Sequence, residues 1–228
     1  MIHALLFELE GVLIDSSVQR RRALQDALAG EGLTVPDSIY EEHCAGRSGE
    51  AAVASALRAL GVDDDALAAL LELEYSRHFA RHAARGVLLA PGAVEFLESA
   101  RSAARVAAVT RATRREAELM LAPAGLDTAF DCLICSEDAA AAKPSPAPYE
   151  AAIARLGRRR TLDRRHTIAL EDGPDGVRAA MAAGVRCIAV GAPSARQRAG
   201  AAGAIASIAG ETPSSLDALL ASAAENAA

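Results

Sequence analysis

From Val87 to Val190, short apolar runs alternate with segments of helical spacing, and this alternation constrains the fold more than any other feature of the chain. Arg105–Val109, Cys132–Cys135, Thr167–Leu170 and Cys187–Val190 read as buried strands. Gly92–Ala103, Arg114–Ala122, Ala147–Leu156 and Gly176–Ala183 read as the helices around them. Strands separated by helices pair in parallel through right-handed crossovers. A first strand, Ala4–Leu9, ends at Glu10-Gly11. The stretch after it has a different texture: Ser17–Ala29, Gly49–Leu60 and Asp65–Ala84 are helical in pattern, with turns near Leu33–Pro36 and Gly61–Asp63. Asp63 to Asp65 read as helix-capping acids. The expected architecture is an α/β core of residues 1–15 and 86–228, with residues 16–85 inserted after the first strand as a small helical domain.

Composition narrows the class of function. The 228 residues suffice for a buried core with an insert, and 51% hydrophobic with 24% charged residues is a globular balance. A net charge of -6 argues against a general nucleic-acid binder, which would show a basic face. The local runs Arg20–Arg22 and Arg158–Arg160 do not change that, and the second reads as a solvated face. No apolar stretch approaches bilayer-spanning length, and Met1-Ile2-His3 leads directly into the first strand. Neither a signal peptide nor a membrane anchor is expected, so the expected location is cytoplasmic. Cys132 and Cys135 form a CxxC inside an apolar run, with no second pair to complete a zinc site. They read as buried thiols, with a redox or metal role as the alternative.

The chemistry concentrates at strand ends. In an open α/β sheet, ligands bind beyond the carboxyl ends of the strands. Those ends carry Glu8 and Glu10, then Thr110, then Glu171 and Asp172, with Lys143 in the loop Ala142–Pro146. An all-oxygen donor set suits a hard cation such as Mg²⁺. Thr110 and Lys143 are suited to hold the non-bridging oxygens of a phosphate and to stabilise charge developing during its transfer.

These residues also carry a resemblance. Leu6-Phe7-Glu8-Leu9-Glu10-Gly11-Val12-Leu13-Ile14-Asp15-Ser16 resembles the first motif of the haloacid dehalogenase superfamily, normally hhhDxDGxLxDS. Thr110 matches the second motif, Lys143-Pro144-Ser145-Pro146 the third (KPxP), and Glu171-Asp172-Gly173-Pro174-Asp175-Gly176 the fourth (EDSxxG). The resemblance spans the whole chain and points to the branch of β-phosphoglucomutase and phosphoglycolate phosphatase. It implies a Rossmann-like parallel-sheet core, with residues 16–85 as the helical cap. It also implies a mechanism in which Glu8 attacks phosphorus and Glu10 serves as acid and then base. Mg²⁺ would be held by Glu8, the main-chain carbonyl of Glu10 and Asp172, with Glu171 in support.

One departure bears on rate: both aspartates of the first motif are glutamates. Each added methylene extends the carboxylate by roughly 1–1.5 Å, and a misplacement of about 1 Å can cost on the order of 10²-fold in rate. Arg20 stands where β-phosphoglucomutase-like members carry a gating His, which argues against mutase activity. Gly173 replaces the usual Ser of the fourth motif. Arg20, Arg47 and Arg111 are candidates to clamp an anionic substrate, or else surface arginines that pair with acids. His78 and His82 are one helical turn apart, as metal ligands would be, but among Arg77, Arg81 and Arg85 they read as an exposed face.

The expected function is a Mg²⁺-dependent phosphatase of a small phosphorylated metabolite, a monomer or homodimer, with a rate reduced by Glu8 and Glu10. The alternative is a phosphate-binding or regulatory protein that keeps the site without forming the acyl-phosphate. Dehalogenases need no Mg²⁺ and lack the acid pair, which sets that reaction aside. Phosphonate cleavage needs a cap lysine, and residues 16–85 contain none.

Overall fold

β1 (Ala4–Phe7) is apolar at every position and fully buried, as expected of a strand covered on both faces. The computed structural model describes residues 2–158, 161–191 and 200–225; Met1 and, from the second basic run, Arg159 and Arg160 lie outside the described residues. After β1 a turn in which Leu13 and Ile14 both donate to the Leu9 carbonyl leads to β2 (Ile14–Asp15). Then follow α1 (Ser17–Gly30), α2 (Asp37–Ile39) running into a π-turn at Tyr40–Cys44, α3 (Gly49–Ala59) and α4 (Asp65–Ala83). β3 (Leu88–Leu89) pairs antiparallel with β2. Helix and strand then alternate through α5 (Ala93–Ala103), β4 (Arg105–Val109), α6 (Arg114–Leu121), β5 (Cys132–Ile134) and α7 (Ala147–Gly157). The chain continues through β6 (Thr167–Glu171), α8 (Pro174–Ala182), β7 (Arg186–Val190), β8 (Gly203–Ile205) and α9 (Pro213–Glu225).

The chain divides into two compact units, Met1–Asp15 with Leu88–Ala228, and Ser16–Val87. The first is an α/β fold around a six-stranded sheet in the order β5-β4-β1-β6-β7-β8, parallel at every pairing. β1 lies at the centre, so the chain builds outward on one side to β5 and on the other to β8, which makes the end of β1 the topological switch point. Side chains alternate across the sheet. On one face Ala4 and Leu6 pack with Ala107, Ala169 and Cys187 under Tyr149, Ala152 and Leu156 of α7 and Val177 and Ala180 of α8. On the other, Phe7 meets Phe96 of α5 edge-on, with ring centroids 5.8 Å apart. Alanines on both strand and helix surfaces fill an interface with few aromatics.

The second unit is helical. A buried stripe of Leu71, Tyr75, Phe79 and Ala83 runs along α4 at i, i+4 spacing, and α4 packs against α1, whose Leu24, Ala27 and Leu28 are buried. Asp64 accepts from the Leu67 N–H at 3.0 Å and caps α4; among the three acids read as caps, it is the one that takes that bond. Among the described residues no helix is long and apolar enough to cross a membrane. The β2–β3 pair, β8 and α9 were not anticipated. Two-residue strands carry no periodicity to read, and Gly203–Ile205 lies on a half-buried sheet edge.

Candidate active site

The three central strands end in one row. Phe7 pairs with Ala108 on one side and Leu170 on the other, so the next residues, Glu8, Val109 and Glu171, stand abreast at adjacent strand ends. Neighbouring strands lie about 4.8 Å apart, which brings the three groups within reach of a single ammonium. Lys143 supplies it. Its Nζ donates to Glu8 Oε2 at 2.6 Å, to Glu171 Oε1 at 2.5 Å and to the Val109 carbonyl at 2.7 Å. The three ammonium hydrogens thus have three acceptors. Lys143 is the only lysine in an otherwise arginine-based chain. Its side chain is 1% exposed, and those of Glu8 and Glu171 are 6% and 2% exposed.

Glu8 has a second bond of its own: Oε1 accepts from the Leu9 N–H at 2.9 Å. Both of its oxygens therefore have donors. Glu171 Oε1 also accepts from the Tyr149 hydroxyl, and the Lys143 Nζ lies 5.3 Å from the centroid of that ring. Burial opposes the Lys143 charge, yet Glu171 and Glu8 override it and hold the ammonium above its ordinary pKa. Burial pushes the Glu171 carboxyl up, with the Glu8 charge adding and Lys143 opposing. The Tyr149 hydroxyl is held well above its ordinary value by burial and by the Glu171 charge, so it stays a donor.

Asp172, the next residue, stands out electrostatically. Burial first, then the charges of Glu8 and Glu171, raise it to about 7, with Arg111 and Lys143 opposing. Two glycines bring the neighbouring backbone close to the acid pair. A Cβ on Gly11, whose φ is +76°, would overlap the Asp172 carboxylate, and one on Gly176 would overlap that of Glu171. Gly11 follows Glu10, so Asp172 lies directly against the loop that carries the two glutamates. Glu10 is half-buried there, and its backbone bridges to Ile14.

Thr110 is buried at the end of β4, and its Oγ1 accepts from the Ala112 N–H at 3.2 Å. Arg111 is half-buried beside Asp175, 3.8 Å away. Arg20 and Arg47 belong to the helical unit. Arg20 donates to the Tyr75 hydroxyl at 2.8 Å, and its guanidinium sits 4.6 Å from the Phe79 ring centroid. Arg47 is exposed on the turn after the π-turn.

Tyr149 has no place in the sequence motifs, and Gly11 and Gly176 stand in them without an assigned role. Tyr149 lies six residues after Lys143, in the helix that the third motif opens, and its being the one aromatic of Ala147–Gly157 is the available signal. The CxxC carries no disulfide, and burial pushes Cys132 to about 11 and Cys135 to about 12, so both are held as thiols.

Residues 5–190 match the family model described as haloacid dehalogenase-like hydrolase. Over 196 residues the chain is 31% identical to SUPPRESSOR OF QUENCHING 1 of Arabidopsis thaliana, a match covering 83% of this chain but only 18% of that protein. It is 27% identical over 189 residues to the phosphoglycolate phosphatase of Yersinia pestis, covering 82% of this chain and 80% of the relative. Among solved structures, CbbY from Rhodobacter sphaeroides in complex with phosphate aligns with a TM-score of 0.79 at 28% identity, over 92% of this chain and 96% of that one. A mutant of the same protein, solved with xylulose-(1,5)-bisphosphate, aligns at 0.78. Because the match begins in β1 and runs through both units to the end of β7, the chain belongs to the haloacid dehalogenase-like hydrolases, in the branch of the phosphoglycolate phosphatases and CbbY.

Proposed function

We propose that the chain is a Mg²⁺-dependent phosphatase of a small phosphorylated metabolite, slowed by the length of Glu8 and Glu10. The observation that carries this reading is the convergence of Glu8, Lys143 and Glu171 in one buried row, with Thr110 and Asp172 at the neighbouring strand ends. A single lysine among four carboxylates leaves an excess of negative charge, and oxygen donors of this kind fit a hard cation. Glu8, the Glu10 carbonyl and Asp172 would hold Mg²⁺, with Glu171 behind them. Bound there, the ion would neutralise phosphate charge.

The chain's own residues divide the remaining work. A Glu8 oxygen attacks phosphorus while the bond to the leaving oxygen breaks, and Glu10 gives its proton to that oxygen. Glu10, now a carboxylate, takes a proton from water as the water attacks the acyl-phosphate, which releases phosphate and restores Glu8. Thr110 holds a phosphate oxygen, Lys143 joins it with the hydrogen freed when Glu8 turns toward phosphorus, and Arg111 offers a guanidinium to the substrate. The small-molecule class rests on the relatives, which are named for phosphoglycolate or solved with a sugar bisphosphate.

A second reading is favoured by the pairing of both Glu8 oxygens, with Leu9 and Lys143. A nucleophile held this way must turn toward phosphorus before it can attack, and a protein that never made that turn would bind phosphate without cleaving it. Phosphate release from an aryl phosphate separates the two. The phosphatase reading expects slow release that needs Mg²⁺ and is lost in Asp172→Ala; no release with intact Mg²⁺ binding supports the binder.

A further inference from the structure

Within the helical unit, three ligand-capable side chains meet on the seam between α1 and α4. His78 and His82 stand one turn apart on α4, and Asp26 projects from α1. Asp26 Oδ2 lies 3.4 Å from His78 Nδ1 and 2.7 Å from His82 Nε2. All three ligand atoms fall within 4.8 Å of one another. The imidazoles are 21% and 15% exposed and the aspartate 47%, so the trio is anchored in the packing yet open to solvent on one side.

We infer that His78, His82 and Asp26 form a binding site for a divalent transition-metal ion, with Zn²⁺ the best match. Two imidazoles at i, i+4 project from one face of a helix and converge on a common point. A tetrahedral ion with bonds of about 2.0–2.1 Å places its ligand atoms about 3.3–3.4 Å apart. The His78–Asp26 separation already has that value, and the His82–Asp26 pair must open by about 0.6 Å. Two neutral nitrogens and one carboxylate select Zn²⁺, Ni²⁺ or Cu²⁺ over Mg²⁺, which favours an all-oxygen shell. Three protein ligands leave the fourth position to water on the exposed side.

The surroundings set both limits and purpose. Arg81 lies 3.4 Å from His78 Nε2 and must swing away when Nδ1 binds metal, because that nitrogen then carries the proton. Arg77 is engaged by Glu74. The positive flank weakens affinity without removing it. Because the ligands come from two helices, the ion ties α1 to α4, and its binding free energy adds to the stability of the helical unit.

The test uses the full chain, stripped of metal with a chelator and then saturated with Mg²⁺ so that the carboxylate site does not contribute. Co²⁺ is titrated as a spectroscopic probe, followed by displacement with Zn²⁺. The expected result is one equivalent bound, with the visible bands of a tetrahedral nitrogen–oxygen site, no thiolate charge-transfer band, and a thermal midpoint raised by Zn²⁺. His78→Ala, His82→Gln and Asp26→Asn should each weaken binding by at least the 10–100-fold typical of losing an outer-shell partner, and should abolish the thermal shift. Cys132→Ser with Cys135→Ser should change neither. Unaltered Zn²⁺ affinity in the two histidine variants, or no binding by the unsubstituted chain, overturns the proposal. Asp26→Asn, at an exposed helix position, keeps the test valid if a histidine variant misfolds.

Discussion

Glu8 and Lys143, 135 residues apart in the chain, meet with Nζ 2.6 Å from Oε2 in surroundings that leave the two side chains 6% and 1% exposed. The same ammonium also neutralises Glu171, so one cation holds two buried carboxylates. Removing it strands both. Breaking a buried pair by deleting one partner costs about 3–5 kcal/mol. Lys143→Met should therefore lower the urea midpoint markedly, and adding Glu8→Gln should restore part of the loss, since one stranded charge is gone. Purely additive effects of the two substitutions would show that the pair is not coupled.

Gly11 provides a cleaner probe of the acid pair. Alanine there meets two penalties, a φ of +76° and overlap with the Asp172 carboxylate. Gly125 has a φ of +70° with nothing within 4 Å of the added carbon, so its alanine variant carries the strain alone. Both should lose about 1–3 kcal/mol of stability from the left-handed backbone. Only Gly11→Ala should also weaken Mg²⁺ binding by calorimetry. Equal affinities in the two variants would separate Asp172 from the metal.

Acid stability has an identifiable contributor in Asp138. Burial alone would raise its pKa, but the Cys135 N–H, Arg155 and Arg114 override that and hold it below 3.8. Arg114 and Arg155 both reach it at 2.5 Å. A depressed carboxylate contributes stability that is complete above its unfolded value of 3.8 and is lost as pH falls through the folded one. Asp138→Asn should be destabilised at neutral pH, and the gap to the unsubstituted chain should close below pH 3.8 in denaturant titrations. A gap that persists at low pH would assign the loss to packing instead.

How far the sequence reaches is clear from particular residues. Alternation of strand and helix placed Glu8, Thr110 and Glu171 at strand ends, and parallel pairing makes β4, β1 and β6 neighbours in the sheet. What alternation does not carry is the direction of a side chain. That Lys143 would meet Glu8, Glu171 and the Val109 carbonyl together follows from register and from the path of the third-motif loop, both tertiary. Tyr149 reaches Glu171 because α7 packs over the central strands, which no local pattern records. His78 and His82 announced their spacing, but Asp26 joins them only through the packing of α1 on α4. Two-residue strands such as β2 and β3 are too short to leave any period.

On the proposed reading, the length of the two glutamates sets the rate. If the loop from Glu8 to Ile14 keeps the path that an aspartate pair would use, the longer side chains overshoot. Glu8→Asp with Glu10→Asp should then raise phosphate release by about 10- to 100-fold on the misplacement argument. The structure adds a second reason to expect a gain. Glu8 extends far enough to reach Lys143 while its other oxygen takes the Leu9 N–H, and a shorter carboxylate would give up part of that pairing and face phosphorus more readily. Thr110, Lys143 and Asp172 keep their identities in the exchange, so a change in turnover reports on the reach of the two acids together with the loosened Glu8–Lys143 pairing. A fall in activity would mean that the loop has withdrawn to seat the longer acids, in which case shortened ones stop short. Absence of turnover in both forms, with Mg²⁺ still bound, would make the chain a binder of phosphate rather than a phosphatase.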